Sequence, residues 1–118
     1  MNEEIFKQRT KQLGLQVLLL DDELPRKRST DTIARQLFRA ATSVGANYRA
    51  ACRGRSTADV LSKLGIVEEE AGETILWLEM LADSGAIALK RVSALIKEAD
   101  EILAMTVASI KTLRRKNG

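Results

Sequence analysis

The sequence predicts an all-α protein, an antiparallel up-down four-helix bundle in a single domain. Three observations carry that prediction. Hydrophobic residues make up 45% of the 118 positions but aromatics only 3%, so the core is aliphatic and β-favouring aromatic runs are missing. Pro25 is the one proline. Apolar residues recur at helical spacing in four stretches separated by short breaks, and short connections make consecutive helices antiparallel neighbours. A chain of this length builds one core, so residues 1–118 are read as one unit.

The first helix is expected over about residues 3–20, with Asn2 as its cap and Glu3 and Glu4 in its first turn. Phe6, Thr10, Leu13, Val17 and Leu20 share one side. Leu15, Leu18 and Leu19 lie on the other, which a lone bundle does not need. Asp21 to Ser29 is a charged connection closed by Pro25, with Leu24 pushed out of the helical region and Arg26, Lys27 and Arg28 solvated.

The second helix is expected over residues 30–53, capped by Ser29 or Thr30 and closed by a left-handed Gly54. At about 100° per residue it has three faces. Ile33, Leu37, Ala40, Val44, Tyr48 and Ala51 form the core stripe. Arg35, Arg39, Arg49 and Arg53 stand opposite, and Ala34, Ala41, Gly45 and Cys52 form a flank of small residues that lets another backbone come close. Ser56 caps the third helix, residues 57–82, with Asp59 at capping-box spacing.

The core stripe of this third helix is Val60, Leu64, Val67, Ala71, Ile75, Leu78 and Ala82. Gly65 and Gly72 cost helix stability, which suggests close packing onto the small flank of the second helix. Ile66, Leu76, Trp77 and Met80 form a second, outward apolar stripe. Together with Leu18 and Leu19 it is too large to leave in water and predicts an oligomer interface. Asp83, Ser84 and Gly85 end the third helix. The fourth covers residues 89–114 with Val92, Leu95, Ala99, Ile102, Leu103, Thr106, Ile110 and Leu113 inward, and Lys111, Arg114, Arg115 and Lys116 suit its negative end.

Charge is uneven along the chain. The net charge is +3, but Ser29 to Ser56 carries five bases and one acid, Thr57 to Asp83 one base and seven acids, and Ser84 to Gly118 seven bases and three acids. Such blocks fit either helix pairing by charge or a basic surface set against an acidic one. There is no histidine, and the single cysteine, Cys52, permits neither an internal disulfide nor a thiolate cluster. Arg49 and Arg53 beside Cys52 could lower its pKa, but its small-residue flank favours structural packing. Glu68, Glu69, Glu70 and Glu73 crowd one helix and read as a solvated or interface face rather than a metal site. No cofactor is expected, no phosphate loop is present, and nothing supports an enzyme. With no signal peptide or membrane-length apolar run, the protein reads as cytoplasmic, with no membrane partner.

The functional signal is the arginine stripe. Arg35, Arg39, Arg49 and Arg53, with Arg55 in the turn, offer fork-shaped donors to the phosphates of RNA or DNA, without base-stacking aromatics and so directed at the backbone. The competing reading pairs these arginines with Glu69, Glu70 or Glu73, in the same chain or a neighbouring subunit.

The block RAATSVGANYRAACRGRS, Arg39 to Ser56, followed by KLGIVEEEAGETILWLEML, Lys63 to Leu81, resembles the four-helix-bundle family of proteins encoded in intervening sequences of large-subunit ribosomal RNA genes. The matching positions are Arg39, Ala40, Ala41, Ser43, Ala46, Asn47, Arg53, Ser56, Glu70, Glu73, Trp77, Leu78 and Glu79. Gly45 and Ala50-Ala51 depart from the family pattern. The resemblance implies a homopentamer of four-helix protomers and no established catalytic residue. A related branch, the accessory variability proteins of diversity-generating retroelements, implies a nucleic-acid-binding accessory factor that works with a reverse transcriptase.

Overall fold

The computed structural model describes residues 2–117. Among them are four α-helices and no strand: α1, Glu3–Leu18; α2, Arg28–Cys52; α3, Thr57–Asp83; and α4, Leu89–Asn117. A 3₁₀ turn, Leu19–Glu23, follows α1. The molecule measures 48 × 22 × 21 Å.

Local chemistry sets several of the helix ends. The Asn2 side chain accepts from the Ile5 N–H at 3.0 Å, and Ser56 Oγ accepts from the Asp59 N–H at 3.1 Å. The expected cap of α2 at Ser29 or Thr30 is corrected. Lys27, in extended backbone, precedes the first turn with no side-chain cap, and its carbonyl accepts from the Asp31 N–H at 2.8 Å. The earlier start places Thr30 in the core. Gly54 is also not left-handed. Its glycine is needed because a Cβ would strike the Val60 side chain and sit 3.1 Å from the Ala51 carbonyl oxygen. The left-handed residue is Gly85, at φ +81°, which closes α3 where a side chain would be strained.

Hydrophobic spacing then places the core. Phe6, Leu13, Val17, Leu37, Val44, Leu78, Val92 and Ile102 are buried, and Phe6 meets Tyr48 edge to face at 4.5 Å. Thr10, Thr74 and Thr106 are buried with their hydroxyls donating to carbonyls one turn back in their own helices. On α3 the buried face is rotated from the expected one. Glu70, Thr74 and Leu81 are inside, whereas Val60, Ile75 and Ala82 are half-buried.

The second apolar stripe also divides. Leu18, Leu19, Leu76 and Met80 are exposed. Ile66 and Trp77 are half-buried; Trp77 packs against the core, and its indole N–H is enclosed without an acceptor.

The expected close packing of Gly65 and Gly72 is corrected as well. A Cβ on either would meet nothing within 4 Å, so neither supports a helix contact within the chain. The small flank of α2 is instead used by α1. A Cβ on Gly14 would lie 3.3 Å from the Ala41 oxygen, and one on Gly45 would lie 3.4 Å from the Thr10 backbone. Gly65→Ala and Gly72→Ala are therefore expected to stabilise the isolated chain, each by about 0.5–1 kcal/mol, because alanine restores helix propensity where there is room. Urea unfolding checks this, and a loss of stability at either position would show that the face is occupied.

The seam between α1 and α4 is the thinnest of the bundle, and a charged cluster spans it. Arg9 donates to Glu98 at 2.9 and 2.6 Å and to Glu101 at 3.1 Å. These bonds, first the one to Glu98, raise the Arg9 pKa above its ordinary value.

Candidate nucleic-acid interface

The outer face of α2 and the turn after it present the predicted arginines. Arg35, Arg53 and Arg55 are exposed, and Arg49 is half-buried at the rim of a groove of about 390 Å³ between α1 and α2. Gly14 and Gly45 floor that groove, and Lys11, Leu15 and Leu18 wall it. Backbone hydrogen bonds hold the turn. The Arg53 and Gly54 N–H groups donate to the Ala50 and Ala51 carbonyls, and the Arg55 N–H donates to Asp59 Oδ2 at 3.2 Å.

Arg39 is engaged differently. Its guanidinium donates to Glu70 Oε2 at 2.7 Å and to Glu73 Oε1 at 2.9 Å, crossing from α2 to α3. The Glu70 side chain is only 8% exposed. The burial of a carboxylate on α3 and the position of Arg39 on α2 therefore explain each other. The competing reading of the arginines holds for this residue. It also commits Glu70 and Glu73, and among the described residues no cluster of acidic or cysteine side chains is arranged to hold a metal ion.

Other arginines follow the pattern of Arg39. Arg9 pairs with Glu98 and Glu101, Arg26 with Asp21, and Arg91 with Glu23. In contrast, Arg35, Arg49, Arg53 and Arg55 make no salt bridge among the described residues. Arg35 stands apart from the rest: 18 positions before Arg53, it lies about 27 Å along the helix at 1.5 Å per residue. Arg49, Arg53 and Arg55 remain together at one end.

Cys52, in the last turn of α2, is half-buried. Burial pushes its thiol pKa up, and the neighbouring Glu3 carboxylate pushes the same way. The arginines beside it in sequence do not activate it.

Sequence reading missed what else reaches this end. The Thr57 hydroxyl donates to Asn117 Oδ1 at 3.5 Å, so the last turn of α4 arrives beside the start of α3. Arg114, Arg115 and Lys116 come with it, all exposed. The one signal available was the positive balance of the final segment, which read as a complement to its own helix dipole.

The fold has a counterpart, and the sequence matches a family model. Residues 2–108 match the family model described as 23S rRNA-intervening sequence protein. The crystal structure of a protein of unknown function from the S23 ribosomal protein family of Bacteroides thetaiotaomicron VPI-5482 superposes with a TM-score of 0.83 at 29% identity, covering 90% of this chain and 98% of that one. No curated protein matches in sequence.

Proposed function

The chain belongs to the 23S rRNA-intervening sequence protein family, and from that premise we propose that it is a non-enzymatic, antiparallel up-down bundle that assembles as a homopentamer and binds nucleic acid through its arginine face. The observation that carries the reading is the contrast between arginines. Arg9, Arg26, Arg39 and Arg91 are neutralised by acids, whereas Arg35, Arg53 and Arg55, which are exposed, and Arg49, which is half-buried at a groove rim, have no salt-bridge partner among the described residues. Guanidinium groups held out in this way suit phosphate oxygens.

The exposed Leu18, Leu19, Leu76 and Met80 support assembly, with half-buried Ile66 and Trp77 beside them. A role beside a retroelement reverse transcriptase in the cytoplasm extends the reading. No helix among the described residues is long and apolar enough to cross a membrane.

Fluorescence anisotropy against RNA, DNA and RNA/DNA hybrids over a salt series tests the binding. Affinity should fall as salt rises, and Arg49→Ala with Arg53→Ala should weaken every complex and flatten the salt dependence by about one unit of log–log slope per arginine. Salt-independent behaviour, or full affinity in the variant, overturns the phosphate role. A monomer by light scattering at micromolar concentration overturns the assembly. The second reading, a protein-interaction scaffold whose arginines engage acidic helices of neighbouring subunits or a partner protein, is favoured by the Arg39 pair alone, because there an arginine of this face is already held by α3.

A further inference from the structure

We propose that the last turn of α4 and the α2–α3 turn form one phosphate-binding end that grips the backbone of base-paired nucleic acid. This rests on the nucleic-acid reading above and adds residues from a different helix to it.

The juxtaposition shows in the Thr57–Asn117 contact of 3.5 Å. Thr57 follows Arg55 by two positions, and Asn117 follows Arg114, Arg115 and Lys116 within one helical turn. Arg53, Arg55, Arg114, Arg115 and Lys116 thus stand at one end of the bundle, carried there by two segments far apart in sequence. All five are exposed, and none forms a salt bridge among the described residues. Three acids share this end, each with a partner, and are outnumbered by the five bases. Glu3 and Glu4 face Lys7 at 3.9 and 3.5 Å, and the Asp59 carboxylate accepts from the Arg55 backbone.

Helix dipoles do not account for the cluster. The C-termini of α2 and α4 each favour a nearby cation by roughly 0.3–1 kcal/mol, whereas five like charges at one end repel one another. An external polyanion relieves that repulsion.

The shape of the end adds to the argument. α1 has 16 residues and α4 has 29. A groove of about 590 Å³ lies open between α3 and α4, lined by Leu64, Met105, Thr112, Leu113 and Lys116. Lys116 thus joins the groove to the cationic end.

The absence of a stacking surface selects the form of the nucleic acid. Of the four aromatics, Phe6 and Tyr48 are buried, and Phe38 and Trp77 are half-buried and packed against the core. Single strands are held largely by stacking of bases on aromatic side chains, whereas duplexes are held through phosphates and shape.

The test compares an RNA hairpin with an oligo(U) strand of equal phosphate number, using the full chain and anisotropy over a salt series. Arg114→Ala, Arg115→Ala and Lys116→Ala together should lower the log–log salt slope for the hairpin by about two to three. Arg53→Ala with Arg55→Ala should lower it by about two. Lysine at positions 53, 55, 114 and 115 should keep the slope, and a thermal melt confirms that each variant is folded. If the α4 variant binds like the unmodified protein while the turn variant is weakened, the composite end is wrong and the nucleic-acid reading stands. If neither probe binds the unmodified protein, both fail. Tighter binding of oligo(U) than of the hairpin overturns the duplex preference.

Discussion

Replacing Arg39 with alanine is expected to destabilise the protein by about 2–3 kcal/mol, and Glu70→Gln in the same chain should recover a large part of the loss. Glu70 is buried on α3, and its carboxylate is compensated by the Arg39 guanidinium at 2.7 Å. Truncating one partner of a buried pair leaves an uncompensated charge, which costs about 3–5 kcal/mol in full burial. Arg39 itself is 52% exposed, so water screens the pair and lowers that figure. Glutamine at position 70 removes the stranded charge and keeps a hydrogen-bonding group. Urea unfolding of the two single variants and the double variant measures the coupling. Additive losses, or an Arg39→Ala variant as stable as the parent, would show that Glu70 does not need its partner. Arg39 is for the same reason the least suitable member of the arginine face for a binding test, because its removal perturbs the fold.

A comparable loss is expected from Gly14→Val, about 3 kcal/mol, while Gly14→Ala should be nearly neutral. The neighbour of Gly14 is backbone, the Ala41 oxygen at 3.3 Å and the Thr42 Cα at 3.4 Å from where a Cβ would stand. Backbone in a helix cannot swing aside as a side-chain tip can. One methyl asks for a few tenths of an ångström, offset by the gain of about 1 kcal/mol in helix propensity. Two further methyls force α1 away from α2, which costs about 1–3 kcal/mol or more and loses the propensity gain to β-branching. Thermal melts would show a fall of roughly 10 °C for valine and little change for alanine. Equal stability of valine and glycine would mean that the two helices do not depend on close approach.

The same residues show what could be read without a structure. The four helices and their aliphatic core follow from spacing that repeats every three to four residues. The Asn2 and Ser56 caps follow from side chains that reach only three positions ahead. The family was legible in the Arg39–Ser56 and Lys63–Leu81 blocks. Reading failed where a partner came from elsewhere in the chain. Glu70 reads with its neighbours as a solvated or interface face, yet Arg39 on another helix makes its burial tolerable. Gly65 and Gly72 looked like contact residues because glycine in a helix needs a reason, and Gly14, which has that reason, drew no notice.

By itself the sequence determined the all-α class, the four helices, the family, and the arginines from which an interface can be drawn. These depend on local periodicity and short-range hydrogen bonds, which are written in neighbouring residues. Only the tertiary structure decided which arginine is spent on a buried carboxylate, which glycines admit a second backbone, and that the end of α4 meets the α2–α3 turn. Each of those depends on where residues 27 to 60 positions apart come to rest, and no local pattern encodes that distance.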